Sequence, residues 1–296
     1  MVFSLSSSPV NSQLQSPLFG TLPGEIRNQV FSLALMQHDD EADTYPTDSY
    51  WYRPGFSAPQ KSNSALLQTC KMAYAEGQKV FLSELEWAFW FGTWDLGGMC
   101  GRRHSHCSDR GPEGRSRDQA CINFCRSLPP QAVQSLQKYR FFTQMYWLEG
   151  GSSLRMLLAQ PQFRPTQLTI TIRYSDWWNW ELDQPLRMRE DWLRSFRGNP
   201  GLRTLRVEYE TLTPKREEML HIVERNRKWK LPVKREGYDT DIFEGYLVTQ
   251  GSDLKEWKWR GTSKLGGLTW SHHAEGETVE YVVIMDTWRF SEGGTV

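Results

Sequence analysis

Two periods alternate along this chain, one near 3.6 residues and one near 2. Ile26, Val30, Leu33 and Ala34 recur at helical spacing, and Phe31 and Leu35 widen that stripe beyond one narrow face. Thr21 is placed to cap this helix, Pro23 suits its first turn, and Glu25 sits at the positive end of its dipole. The polar, acidic and then aromatic stretch Gln37–Asn63 predicts a long loop. A second helix is predicted from Ser64 to about Ser83, on Leu66, Leu67, Cys70, Ala73, Tyr74, Gly77, Val80 and Phe81. The run Trp87–Phe91 then predicts a buried strand.

Further along, strands and helices take turns. Tyr139–Trp147, Gln167–Ser175 and Leu202–Glu210 carry strand patterns, and Ser152–Ala159, Met188–Arg197 and Pro214–Arg227 carry helical ones. Another helix is expected from about Asp118, and Pro129 and Pro130 end it and start the next. Strand–helix alternation predicts a curved βα stack, although the uneven strand starts exclude a strict leucine-rich repeat. The last third, with "KEWKWRG" and "EYVVIMDTWRF", predicts strands that close a sheet edge or pair as a hairpin. Residues 1–17 predict a flexible tail and 97–117 a disordered or inserted loop rich in Gly, Arg and Ser.

Charge and composition narrow the functions. With 35 basic and 35 acidic residues the formal net charge is zero, which argues against nucleic acid as the main partner. No stretch of about 18 apolar residues occurs, so no membrane span is expected. Five cysteines without an export signal predict free thiols in a reducing compartment, cytoplasmic or nuclear. Fourteen tryptophans supply core and interface anchors.

Two clusters hold candidate chemistry. Cys100, His104, His106, Cys107, Cys121 and Cys125 fall in one stretch and offer the ligand types that tetrahedral zinc takes. Their spacings miss the C-x₂-C knuckle, and Cys121 and Cys125 equally fit one helix face as small buried thiols. No cofactor is expected. Trp177, Trp178 and Trp180, with Asp176, Glu181 and Asp183, suggest either a packed corner or a ligand groove; paired carboxylates would also suit a hydrolase. No nucleophile elbow or phosphate-binding glycine loop is present.

Leu22-Pro23-Gly24-Glu25-Ile26-Arg27, together with "LLQTCKMAYAEGQKVF", resembles an F-box, closest to the divergent F-box-like modules of uncharacterised fungal proteins. The matching residues are Leu22, Pro23, Glu25 and Ile26, then Cys70 and Lys71; Ala73 stands where the family carries a tryptophan. The stretches "LTITIRYSDWWNWELDQPL" and "LRTLRVEYET" resemble the C-terminal halves of the same proteins. The resemblance implies an adapter that binds the Skp1 subunit of a cullin ubiquitin ligase and recruits a protein substrate, and it implies no enzyme activity.

The expected architecture is therefore α+β: an F-box-like helical module over 18–96, then an irregular leucine-rich-repeat-like domain with C-terminal strands over 118–296. Expected partner-binding residues are Leu22, Pro23, Glu25, Ile26, Val30, Cys70 and Lys71. Two arrangements account for the broad stripe on the first helix. Either it is enclosed between the second helix and the body, or Leu22, Pro23, Ile26 and Val30 stay open to a partner helix. The alternative function is a Trp-rich ligand- or peptide-binding protein, and the third is a hydrolytic enzyme.

Overall fold

In the computed structural model the described residues are 9–91, 117–150, 152–237, 242–251, 254–270 and 278–292. The fold is α+β, with helices packed on a curled mixed sheet. In chain order the helices are α1 Gly24–Ala34, α2 Lys71–Glu84, α3 Arg117–Ser127, α4 Pro130–Ser135, α5 Met145–Glu149, α6 Ser152–Leu158, α7 Asp191–Ser195 and α8 Arg216–Asn226. The sheet strands are β1 Glu86–Phe91, β2 Lys138–Thr143, β3 Gln167–Ile172, β4 Thr204–Leu212, β5 Leu231–Lys234, β6 Phe243–Thr249, β7 Lys255–Thr262 and β8 Thr278–Glu292.

Strands β1 to β4 lie side by side in chain order, and each neighbouring pair is parallel. Parallel neighbours need a crossover, and the helical segments between the strands supply it. Alternate residues Tyr139 and Phe141, Leu168, Ile170 and Ile172, and Leu205, Val207 and Tyr209 are buried and share the main core with helix residues such as Trp192, Met219 and Val223. The other alternate set, including Arg140, Thr171 and Glu208, lies on the opposite face.

Of the two arrangements expected for the last third, the structure has the hairpin-like one: β7 and β8 are antiparallel neighbours, and β8 does not close a sheet edge. β8 lies inside the sheet: Tyr281–Arg289 pair antiparallel with β4. On its other side, Thr278–Met285 pair with β7 and Trp288–Glu292 with β6. Its run Tyr281–Ile284 is buried at every position, as a strand covered on both faces requires.

Two helix starts also differ from expectation. Thr21 belongs to a separate wide helical turn, Pro17–Thr21, and Pro23 holds the N-cap position of α1 without a side-chain cap. The second helix is broken: Ser64–Gln68 form a 3₁₀ turn, and Cys70 is extended at the start of α2, its sulfur accepting from the Ala73 N–H at 3.3 Å. A capping side chain needs non-helical backbone, so the break follows from the cap.

α1 and α2 pack through a small second core of Phe31, Leu35, Leu67, Ala73 and Tyr74. Gly77 lies mid-helix in α2 because a Cβ there would meet Leu67 Cδ2 at 2.6 Å and the Phe31 ring at 2.9 Å. The bare backbone admits the aromatic ring at a helix-propensity cost of about 1 kcal/mol relative to Ala. Arg27 closes the pair by two bonds to the Glu76 carboxylate, at 2.7 and 2.9 Å.

Phe31→Ala should lose about 3–5 kcal/mol in urea unfolding, since the ring is fully buried between the two helices. Ile26→Ala, on the outer side of the same helix, should stay within about 0.5 kcal/mol of the parent protein.

Candidate functional site

Helix α1 divides its apolar residues between two sides. Phe31 and Leu35 turn inward to α2, whereas Ile26, Val30 and Leu33 are exposed by 40%, 37% and 73%. The spacing 26, 30, 33 is one continuous helical stripe. Met36, 62% exposed, follows just after the helix. Pro23 and Glu25 are also exposed at its start.

The expected docking residues are thus not equivalent. Pro23, Glu25, Ile26 and Val30 lie on the surface, while Leu22 is half-buried and its carbonyl accepts from Arg27 Nη1 at 2.7 Å. Cys70 and Lys71 are half-buried at the start of α2, and the Cys70 sulfur is engaged as the helix cap. Leu33 and Met36 extend the exposed stripe and were absent from the expected set. The heptad-like step from Ile26 to Leu33 was the signal for the first of them.

A second arrangement lies on the sheet face opposite the main core. Residues 45–58, part of the expected long loop, form a strap across that face. Its base is closed by a two-residue ladder between His38–Asp39 and Gln60–Lys61. Trp51 meets the Trp90 ring edge-on with centroids 4.5 Å apart, and Phe56 meets Phe142 at 5.0 Å. Arg173 donates to the Tyr50 carbonyl and holds Asp176 by two bonds of 2.7 and 2.8 Å.

Beneath the strap runs a row of charges. Arg140 on β2 pairs with Glu86 on β1 and Glu208 on β4, each at 2.7 Å, and also donates to the Thr171 hydroxyl at 2.8 Å. Arg53, from the strap, reaches Glu208 and Glu210 through Nη2 at 3.3 and 3.5 Å. Burial works against ionised Glu208, but the Arg140 and Arg53 charges outweigh it and hold its carboxyl below the usual glutamate range. Burial pushes Glu210 above that range, and Arg53 offsets only part of the rise.

The tryptophan cluster is mainly internal. Trp177 and Trp180 are buried in the main core, so a groove lined by all three indoles has no opening. The Trp177 Nε1–H donates to the Glu210 carbonyl at 2.8 Å, and Trp180 packs edge-on to Tyr174 and Trp270. Only Trp178 presents surface, and its Nε1–H donates to Glu149 at 2.8 Å. Asp176 is buried and engaged by Arg173, and Asp183 pairs with Lys215 at 2.8 Å, so each carboxylate is already matched by a cation.

Of the zinc candidates, Cys100, His104, His106 and Cys107 lie outside the described residues. Cys121 and Cys125 are buried on one face of α3, and the Cys125 sulfur is 3.8 Å from the Tyr139 hydroxyl. A hydrogen bond from Cys121 holds the Cys125 thiol below its ordinary pKa, against the effect of burial. Among the described residues no group of three His, Cys, Asp or Glu side chains is placed to hold a metal ion. Among them, too, no helix is long and apolar enough to cross a membrane.

Comparison with protein-family models, curated proteins and solved structures finds no match to this chain.

The two carboxylates under the strap should respond to pH with opposite signs. Glu208 has a lowered folded-state pKa, so its stabilising contribution is present above the ordinary glutamate value and lost as pH falls through the lowered one. Glu208→Gln should therefore cost about 3–5 kcal/mol at neutral pH, and the loss should shrink in acid. Glu210 has a raised folded-state pKa, so its contribution is present below the unfolded value and lost as pH rises through the raised one. The stability of Glu210→Gln relative to the parent should improve with rising pH. Urea midpoints measured from acid to neutral pH check both signs.

Proposed function

We propose that this chain is a protein-interaction adapter that docks a Skp1-type subunit on α1 and recruits a protein substrate with its remaining surface, in the cytoplasm or nucleus. The observation that carries this reading is the exposed line Ile26, Val30 and Leu33, with Pro23 at its head, on a helix whose opposite side already meets α2. Full burial of such a side chain is worth about 1.5–3 kcal/mol. Ile26 and Val30, 40% and 37% exposed, would gain less than half of that against a partner helix and Leu33, 73% exposed, most of it, before the costs of association. A helix-in-groove contact uses this i, i+4, i+7 spacing.

The F-box resemblance names the class of partner. Support for a leucine-rich-repeat-like body comes from β1 to β4, four consecutive parallel strands with helical connections on one face. Much of the long connection that distinguishes this chain from a compact F-box is taken up by the strap across the sheet. Glu25, exposed in the first turn of α1, and Glu41, exposed beyond its end, carry negative charge before and after the apolar line in sequence, while Asp40 is paired with Lys61. A partner with basic groups at the rim of its groove complements this pattern.

Purified Skp1-type protein from the same host is the probe. Ile26→Asp and Leu33→Asp should abolish co-elution with it and leave the melting temperature within about 2 °C of the parent, since both positions face solvent. Retention of the complex by both folded variants, or failure of the parent to bind, overturns the reading.

A further inference from the structure

The contact between Arg53 and its two carboxylates is incomplete on both sides. Arg53 is buried, yet only Nη2 reaches an acceptor; Nε and Nη1 are enclosed with no hydrogen-bond partner. Glu210 is buried too. Its Oε1 accepts from the Tyr174 N–H at a long 3.4 Å, and its Oε2 has no hydrogen-bond partner and faces Arg53 Nη2 at 3.5 Å. A guanidinium and a carboxylate ordinarily meet in two parallel bonds of about 2.8 Å, roughly twice as strong as neutral ones. Here a matching cation and anion are buried together without forming that pair.

The reason is where Arg53 is mounted. Its backbone belongs to a tight turn, with Phe56 N–H donating to the Arg53 carbonyl at 2.9 Å and Gly55 at φ +82°. That turn is pinned by Phe56 on Phe142 and by the Arg140 guanidinium 5.0 Å over the Phe56 ring. Drawing the guanidinium closer for a second bond works against these contacts of the turn.

We propose that the Glu208–Glu210 pair is a seat for an arginine side chain of a partner peptide, and that Arg53 is an internal plug which the partner displaces. The two carboxylates are two residues apart on β4 and so share one face of the strand. Glu208 is already bonded to Arg140 and to the Thr171 hydroxyl, which leaves Glu210 as the unmatched acceptor. With the plug removed, Glu86 and Glu208 still share Arg140, while Glu210 keeps only the more distant charge of Arg173, itself paired with Asp176, and so lacks a cation in contact. The Phe142 ring, 5.9 Å from the Arg53 guanidinium, gives the seat an aromatic wall. A flat, weakly hydrated guanidinium suits such a site better than a lysine ammonium. This inference does not depend on what α1 docks.

Calorimetry on the full chain tests it with two blocked tripeptides, Gly-Arg-Gly and Gly-Lys-Gly. The arginine peptide should bind Arg53→Ala at least about tenfold more tightly than the parent, because a plugged seat is competent for only a fraction of the time. The lysine peptide should show no such gain, and adding Glu210→Gln should remove it. Equal binding of both peptides to Arg53→Ala, or a gain that survives Glu210→Gln, overturns the proposal. Should Arg53→Ala fail to fold, amide hydrogen exchange on the parent decides. Saturating arginine peptide must speed exchange across residues 45–58, and unchanged protection there overturns the proposal.

Discussion

The arrangement of this molecule turns on burying charge between a sheet and the strap laid across it. Glu86, Arg140 and Glu208 form a line across four strands, and Arg53 is brought to its end by a segment distant in sequence. An isolated ion in that position would cost several kcal/mol, so the row is tolerable only when its members are paired. Pairing requires β1 to β4 in one register and the strap in one position. The strap is also the connection between α1 and α2, and its placement helps set where α1 lies on the body. Gln37, between α1 and the ladder at the strap's base, exchanges two hydrogen bonds with the Glu86 backbone, at 2.7 and 3.2 Å, and so ties the end of α1 to the edge strand.

With α1 held in this way, its two sides have different fates. Phe31 fills the space left by Gly77, and Arg27 clamps Glu76. Ile26, Val30 and Leu33 then have no place inside. Single exposed apolar residues are ordinary on protein surfaces, but a line of them at helical spacing matches what helix-in-groove recognition uses. The adapter reading rests on this asymmetry, and the arginine seat rests on a separate one, the unmatched hydrogen-bonding capacity of Arg53 and Glu210 under the strap.

Much of the framework is legible from residue order. The strands β2, β3 and β4 and the helices α6, α7 and α8 fall close to the positions that alternation and helical spacing indicate, because each carries a strong period and a turn signal. Boundaries moved where a local interaction competed. The strand expected over Tyr139–Trp147 ends at Thr143, and Met145–Glu149 become helical, burying Trp147 and Leu148. Cys70 broke a continuous helical pattern by capping α2. The final strand was legible as a strand but not as an interior one, although its unbroken apolar run was the cue. The candidate site was half legible: the stripe on α1 followed from spacing, while which side of that stripe would be covered did not.

Residue order by itself determined the local elements, the neutral charge balance and the wide apolar stripe on α1, because these depend on neighbours within a few positions. Only the tertiary structure decided that Trp177 and Trp180 are core, that Ile26, Val30 and Leu33 face outward, and that Arg53 enters between Glu208 and Glu210. Those outcomes join residues tens to more than a hundred positions apart. Nothing local in the chain states which carboxylate a distant guanidinium will meet, because that choice follows from strand register and from the burial of charges that must be matched.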